Sequence, residues 1–256
     1  MLFHRAIAIA GILFLSFVSA SDFRQPDYER ESLIYNQNLT DIFDGEIKFI
    51  DYEFGRFPVI EIAGSKKTAI LYLHGRGLSP NDNNLAYPIR TQLSDAYNTF
   101  SIQLPVLAKG AKYYDYLEIF YDSDQRIKSS LEYIQKKHDN LIIIAHSCGV
   151  HMLMSYIDKY NLLSSVKLLV LIGSGAVDKG QSMPNEYPYK KINIPILDIY
   201  GEYDFNLVIK EANKRYTNIK KISSLSEQYE IKSSSHYHED GADRIIEIVK
   251  KWLSDK

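Results

Sequence analysis

The sequence predicts an α/β fold built on a mainly parallel, mixed β-sheet with helices on both faces. Uninterrupted apolar runs alternate along the chain with segments whose apolar residues recur at helical spacing. Continuous apolar strands of this kind are typical of parallel strands that are buried on both faces of a sheet. Two early strand signals with Gly55 near the turn between them predict an antiparallel hairpin, which makes the sheet mixed.

In the first half of the chain, residues 21–45 are polar and irregular, and they are expected to be partly helical near residues 29–35. Strands are then expected at residues 47–54, 57–62, 68–73 and 99–104. Pro105 ends the last of these strands because proline cannot donate to a strand ladder. Helices are expected at residues 87–97 and 124–137. In the second helix, Ile127, Leu131 and Ile134 share one face.

The second half of the chain repeats the alternation of strand and helix. Strands are expected at residues 141–144, 166–172, 194–200 and 229–232. Helices are expected at residues 150–160, 207–216 and 242–253. Residues 175–191, between two late strands, are the only plausible lid. They are few and contain glycine and proline, so we expect a short cap or none.

The N-terminus has the pattern of a secretory signal peptide over residues 1–20. Arg5 supplies a positive charge, the apolar run Ala6 to Val18 follows, and Val18-Ser19-Ala20 is a small-residue cleavage signal. An uncleaved anchor is the alternative, although the run is short for a span of roughly 20 residues. Residues 21–45 form an extension, and residues 46–256 form one domain. No later segment is long and apolar enough to cross a bilayer.

Composition narrows the class of protein further. The net charge of −2 carries no basic block, which argues against nucleic-acid binding. Cys148 is the only cysteine, so the chain forms no intramolecular disulfide. An exported protein without disulfides fits a bacterial periplasm or exterior better than a eukaryotic secretory route. No metal-ligand spacing or phosphate loop is present, so we expect no metal and no cofactor.

Ser147 stands at the join between a predicted buried strand and a helix. In parallel sheets, ligands bind outside the carboxyl ends of the strands, which places Ser147 on the binding edge. A tight strand-to-helix turn pushes the central side chain outward and needs small residues two positions before and after it. Ala145 and Gly149 occupy those positions.

At this point the chain resembles the alpha/beta-hydrolase family, whose G-x-S-x-G pattern it departs from only at Ala145. The resemblance covers the element order over roughly residues 45–255, and it implies that Ser147 is a nucleophile. Residues 104–116, together with H-S-C-G, also look like a group of exported bacterial alpha/beta-hydrolase-like proteins of unassigned function. That closer resemblance implies a location and a fold but no substrate.

A second matching motif is His74-Gly75-Arg76-Gly77, which follows an apolar strand. In the family, this loop donates one backbone N–H to the oxyanion hole, and the residue after the nucleophile donates the other. The resemblance therefore implies Arg76, with Gly77 as the second candidate, and Cys148. The alternative is a plain glycine-rich turn with a solvated Arg76.

The resemblance also implies a triad acid after a late strand. Asp204 is the first candidate because it ends the G-x-x-D motif after the strand. Asp198, which lies inside the strand and needs a partner there, is the second, and Glu202 is the third. The alternative for Asp204 is a helix N-cap.

The family's triad histidine lies before the last helix, where this chain has two histidines. His236 is preferred because an aromatic residue follows it, as in relatives, and His238 is the second candidate. His146 is expected to pack under the serine turn or to line the pocket. Tyr113, Tyr114, Tyr116 and Tyr121 form either an aromatic pocket wall or a half-buried loop.

These residues together predict an exported serine hydrolase that acts on a carboxylic ester, or on a thioester or amide. The expected substrate is a small-molecule or lipid-like acyl compound. Two alternatives remain from the sequence: a non-catalytic envelope binding protein of the same fold, and an acyltransferase. The sequence leaves the oligomeric state open.

Overall fold

One eight-stranded sheet forms the centre of the computed structural model, which describes residues 24–255. The predicted signal peptide, residues 1–20, lies outside the described residues. The strands are β1 (Glu46–Tyr52), β2 (Gly55–Ile62), β3 (Ala69–Leu73), β4 (Asn98–Ile102), β5 (Leu141–His146), β6 (Val166–Ile172), β7 (Ile196–Tyr203) and β8 (Glu227–Ser235). Their order in the sheet is β1-β2-β4-β3-β5-β6-β7-β8.

The strand directions confirm the predicted mixed sheet. β1 and β2 form the expected antiparallel hairpin, and β2 also pairs antiparallel with β4. From β4 to β8 every neighbouring pair is parallel. The carboxyl ends of β3, β5, β6, β7 and β8 therefore lie along one edge, where loops from distant parts of the sequence meet.

Helices connect the strands and cover the sheet. They are α1 (Tyr28–Leu39), α2 (Ala86–Leu93), α3 (Tyr113–Leu117), α4 (Phe120–Gln135), α5 (Cys148–Tyr160), α6 (Asn206–Lys210), α7 (Ala212–Ile222) and α8 (Ala242–Ser254). A short 3₁₀ helix, Tyr189–Lys191, lies between β6 and β7. In the described part of the chain, no helix has the length and apolar character needed to cross a membrane.

Two apolar clusters lie on opposite faces of the sheet because successive strand residues point to opposite sides. In β3, Leu71 belongs to one cluster and Ile70 to the other. In β5, Ile143 and Ile144 divide in the same way. Both faces are thus buried, which explains why these strands are continuously apolar in sequence.

Two predicted elements near the end of the sheet differ from the structure. The single helix expected at residues 207–216 is two helices, α6 and α7, which meet at Glu211 with φ −92° and ψ 3°. The strand expected at residues 229–232 extends over Glu227–Ser235 because β7 continues to pair with it as far as Tyr203 and Ser235. Both differences arise from tertiary packing that local periodicity does not encode.

Candidate active site

The serine turn has the backbone geometry expected of a sharp strand-to-helix join. Ser147 has φ 53° and ψ −118°, directly between β5 and α5. Gly149 is needed at its position, since a Cβ there would lie 2.6 Å from the carbonyl oxygens of Leu73 and His74. Ala145 is fully buried and pairs with neighbouring strands on both sides, so its methyl group is accommodated.

The positive φ of Ser147 predicts a measurable cost in stability. A side chain held in this region destabilises a fold by about 1–3 kcal/mol. Glycine relieves this strain, but its greater freedom in the unfolded chain offsets part of the gain. We therefore expect Ser147→Gly to raise the free energy of unfolding by about 1 kcal/mol in urea denaturation. Ser147→Ala is the control, since it keeps the Cβ. An equal gain in both variants would contradict backbone strain as the cause.

Three predicted side chains form one hydrogen-bonded chain at the carboxyl edge of the sheet. His236 Nε2 lies 2.7 Å from Ser147 Oγ, and His236 Nδ1 lies 2.6 Å from Asp204 Oδ1. All three side chains are buried, with Ser147 8% exposed. In a neutral imidazole, Nδ1–H donates to the carboxylate and Nε2 accepts the serine proton. Elements that are far apart in sequence thus place Ser, His and Asp in hydrogen-bonding order.

The carboxyl group of Asp204 is held in its ionised form. Burial by itself raises the pKa of Asp204, but hydrogen bonding to His236 and to two backbone N–H groups outweighs burial and lowers the pKa overall. The N–H of Phe205 donates to Oδ1 at 2.7 Å, and the N–H of Gly201 donates to Oδ2 at 3.3 Å. Phe205, and not Asp204, occupies the N-cap position of α6.

The two other acidic candidates are bound elsewhere. Asp198 is buried in β7, where its Oδ2 accepts hydrogen bonds from Arg215 Nε at 3.0 Å and Gln228 Nε2 at 2.7 Å. It therefore has the partner that its burial requires. Glu202 accepts a hydrogen bond from the backbone N–H of Ser233 at 2.8 Å. Neither carboxylate contacts His236.

The second candidate histidine, His238, does not reach the serine. Its ring is buried, and its Nδ1 lies 2.8 Å from the hydroxyl of Ser234. Burial lowers the pKa of His238 to about 4, so the ring is neutral near pH 7.

His146 packs beneath the serine turn, one of the two positions that the sequence left open. Its Nε2–H donates to the carbonyl oxygen of His236 at 3.1 Å, and the two ring centroids are 5.2 Å apart. Burial lowers the pKa of His146 well below its ordinary value. A neutral His146 thus supports the backbone that carries His236.

The predicted oxyanion loop is a tight turn beside Ser147. The N–H of Leu78 donates to the carbonyl of Gly75 at 3.2 Å, and Gly77 in the third position has φ 67°. A positive φ at this position favours glycine. Within residues 24–255, no protein acceptor pairs with the backbone N–H of Arg76 or of Cys148. Both N–H groups therefore remain available to a ligand.

The side chains of these two residues serve other purposes. The guanidinium of Arg76 is only partly exposed and forms an ion pair with Asp178, with Nη2 and Oδ1 3.0 Å apart. The thiol of Cys148 is buried, and burial raises its pKa to about 12. A thiol with that pKa remains protonated near neutral pH, which argues against the Cys148 side chain as a nucleophile beside Ser147.

Two residues that the sequence did not suggest lie against His236. Gly173 follows β6 directly with φ 64°, and a Cβ there would lie 2.8 Å from His236 Cε1. The ring of Phe205 stacks on the imidazole, with centroids 4.2 Å apart and planes inclined by 21°. The sequence signal for Gly173 was a glycine immediately after a parallel strand. For Phe205, the sequence offered no signal beyond its position after Asp204.

The four tyrosines do not form a single wall. Tyr113 and Tyr116 are buried side chains of α3, whereas Tyr114 and Tyr121 are 45% and 39% exposed. Tyr113 lines a cavity of about 270 Å³ beside α5, and its hydroxyl lies 3.4 Å from Nδ1 of His151. Half of the group therefore packs inward, and the other half faces solvent.

The described residues contain no group of three or more His, Cys, Asp or Glu side chains that could hold a metal ion. The three histidines near the serine are instead arranged around one another, with His146 and His238 ring centroids 6.1 Å apart.

Comparisons with known proteins identify the fold. No protein-family model and no curated protein matches the sequence. An esterase from Pyrococcus furiosus is 16% identical, with a TM-score of 0.62 over 84% of this chain and 93% of its own. Carboxylesterase CesB from Bacillus subtilis is 12% identical, with a TM-score of 0.63 over 89% of this chain and 98% of its own.

A third solved structure, from Xanthomonas campestris, is described as a serine hydrolase without a lid. It is 12% identical, with a TM-score of 0.59 over 83% of this chain and 95% of its own. Since these identities are low, the likeness shows the fold: this chain has the alpha/beta-hydrolase fold, as its sequence predicted.

Proposed function

We propose that this chain is a serine hydrolase that cleaves a carboxylic ester through an acyl-enzyme on Ser147. The observation that carries the proposal is the chain of hydrogen bonds from Ser147 through His236 to Asp204, with distances of 2.7 and 2.6 Å. A serine hydroxyl is a weak nucleophile alone, and a histidine base in this position activates it.

Acylation follows from this geometry. His236 Nε2 takes the hydroxyl proton as Ser147 Oγ attacks the carbonyl carbon of the ester and forms a tetrahedral intermediate. The N–H groups of Arg76 and Cys148 donate to the oxygen that becomes negative. The intermediate collapses, the C–O bond to the leaving alcohol breaks, and His236 returns the proton to that alcohol.

Deacylation repeats the sequence with water as the nucleophile. His236 takes a proton from water, which attacks the acyl carbon, and Ser147 Oγ leaves with the proton from His236. Asp204 holds the imidazole in the correct tautomer and stabilises its charged form throughout. Its ionised carboxylate, fixed by two backbone N–H groups, suits that role.

The substrate we propose is a small-molecule or lipid-like acyl ester, with thioesters and amides as less favoured substrates. The esterase and carboxylesterase descriptions of two structural neighbours support an ester. Residues 175–191 hold one 3₁₀ turn and no longer helix, which supports a short cap and an open approach to Ser147. From the leader pattern we further propose that the protein is exported to a bacterial periplasm or secreted.

Gly173 provides a test of the space around the proposed base. In Gly173→Ala, the added methyl group would meet the imidazole of His236 at 2.8 Å, in a backbone region that disfavours alanine. We expect kcat/KM for ester hydrolysis to fall about 30- to 100-fold, because small displacements of a catalytic group are costly. Gly180→Ala is the matched control, since Gly180 also has a positive φ, 83°, and a Cβ there meets no atom within 4 Å. Equal losses in both variants would attribute the effect to backbone strain alone.

The proposed reaction is tested with a series of nitrophenyl esters, from acetate to octanoate, and the folded wild-type protein. The expected result is saturable release of nitrophenol together with free carboxylic acid. Adding glycerol and analysing the products by mass spectrometry separates hydrolysis from acyl transfer. Glycerol esters as the main product would identify an acyltransferase. No turnover of any ester or thioester would favour a non-catalytic binding protein.

A further inference from the structure

We infer that helix α1, from the N-terminal extension, completes the active site, and that Arg30 is a positioning residue for the oxyanion loop. This inference rests on the proposed function and names a part of the site outside the triad. Arg30 precedes the first strand of the sheet, yet its side chain reaches the loops at the carboxyl edge.

Arg30 joins two loops that follow neighbouring strands. Its Nη2–H donates to the carbonyl oxygen of Gly77 at 3.1 Å, and its Nη1–H donates to the carbonyl oxygen of Leu107. Gly77 follows β3 and Leu107 follows β4, which are adjacent in the sheet. A guanidinium is a rigid planar fork with several donors, so one side chain can hold two acceptors at a fixed separation.

The attachment of α1 fixes the place from which Arg30 reaches these loops. The N–H of Asp27 donates to the carbonyl of Val106 at 2.8 Å, and the N–H of Val106 donates to Glu31 at 3.2 Å. Glu31 also pairs with the buried guanidinium of Arg126 at 3.0 Å. α1 contributes no buried side chain to the apolar core. Near Arg30, the helix is therefore held by polar contacts to the loop after β4 and to Arg126 of α4.

Arg30 contacts the turn that contains the proposed oxyanion-hole donor, the backbone N–H of Arg76. Arg76 and Gly77 are the two central residues of the Gly75–Leu78 turn. Arg30 binds the Gly77 carbonyl, and Asp178 binds the Arg76 side chain. A Cβ at Gly77 would lie 3.3 Å from Arg30, so helix and turn approach closely. Removing Arg30 leaves the Gly77 carbonyl free to turn and displaces the Arg76 N–H.

A displaced N–H weakens stabilisation of the tetrahedral intermediate more than it weakens ester binding. The negative oxygen exists only after attack by Ser147, so a loss at the oxyanion hole lowers kcat and leaves KM nearly unchanged. If the role of Arg30 were only structural, its removal would lower the stability of the protein without a selective loss of kcat at nearly constant KM.

The test compares Arg30→Ala and Arg30→Lys with the wild-type protein, with Arg24→Ala as the matched control. Arg24 lies in the same extension but pairs with the exposed side chains of Asp115 and Glu118 instead of loop carbonyls. For each folded protein, kcat and KM are measured with a nitrophenyl ester, and thermal unfolding is followed by circular dichroism. The measurements on Arg30→Ala and Arg24→Ala are repeated with millimolar ethylguanidinium, which can fill the space left by the arginine.

We expect kcat to fall about 10- to 100-fold in Arg30→Ala, with KM within twofold of the wild type. Ethylguanidinium should restore part of kcat in Arg30→Ala and none in Arg24→Ala, whose kcat stays within twofold. If Arg30→Ala does not fold, Arg30→Lys decides, since an ammonium on a flexible stem lacks the planar fork that holds the two carbonyls at a fixed separation. A lowered kcat in Arg30→Lys supports the role, and a wild-type kcat overturns it.

This experiment distinguishes a failure of the proposed function from a failure of the inference about Arg30. A wild-type protein without ester turnover removes the proposed function, and the inference with it, before any variant is compared. An active wild type whose kcat is matched by folded Arg30→Ala overturns the inference alone. A loss in Arg30→Ala that appears in KM, or that ethylguanidinium leaves unchanged, also contradicts positioning of the oxyanion loop.

Discussion

Ser147→Ala is expected to lower kcat for ester hydrolysis by about 10⁴- to 10⁶-fold, the largest effect among substitutions of the proposed triad. The reason is chemical, since the variant lacks the oxygen that forms the acyl-enzyme. His236 and Asp204 remain in place, but they have no hydroxyl to activate. The residual rate reflects the oxyanion hole and substrate binding alone.

The fold should survive this substitution. Alanine keeps the Cβ at φ 53° and removes one hydroxyl, whose partner is His236 Nε2 at 2.7 Å. The check is a measurement of kcat beside a denaturation curve for both proteins. A folded Ser147→Ala protein that keeps more than a tenth of the wild-type kcat would remove Ser147 from the mechanism.

The paired variants His236→Ala and His238→Ala should differ by orders of magnitude. We expect kcat to fall about 10⁴-fold in His236→Ala, because the general base and its link to Asp204 are lost together. His238→Ala removes a ring that bonds to Ser234 at 2.8 Å and does not touch the serine, so we expect a loss of less than tenfold.

Each histidine variant is a close control for the other, because both side chains are buried and both lie in the same segment. Any general damage to the segment would affect both variants alike. The measurement is kcat over a range of pH, with circular dichroism as the check on folding. A larger loss in His238→Ala than in His236→Ala would reverse the assignment of the base.

The sequence was sufficient to predict the fold class because the burial of a strand determines the pattern of apolar residues in its sequence. Strands buried on both faces must be apolar at every position, as residues 141–144 are, and helices on a sheet must carry an apolar stripe. The break between α6 and α7 has no corresponding pattern in the sequence. α7 packs against β7 and β8, and the periodicity within residues 207–216 does not report contacts between elements.

Parts of the candidate site were also readable from sequence. The backbone demands at Ser147 and Gly149 are local, so a strand, a serine and two small residues indicate the turn. Asp204 and His236 were placed by family resemblance and by position after strands, and the structure brings them within hydrogen-bonding distance of one another. Their catalytic roles remain predictions until activity is measured.

The contributions of Arg30 and Gly173 could not be read from the sequence. Arg30 lies 47 residues before Gly77, and nothing local to α1 indicates which loop its guanidinium meets. The absence of a side chain at Gly173 is required because the residue lies close to His236, which follows β8 much later in the sequence. Both are contacts between loops, and they follow from the packed sheet edge instead of from any local pattern.

The central claim is that Ser147 is an activated nucleophile. The most direct measurement is the intact mass of the protein after exposure to a fluorophosphonate, followed by peptide mapping of the adduct. The predicted result is one phosphonyl group per chain, located on Ser147 and absent from Ser147→Ala and His236→Ala. A folded wild-type protein that stays unmodified, or an adduct on any other residue, would contradict the claim.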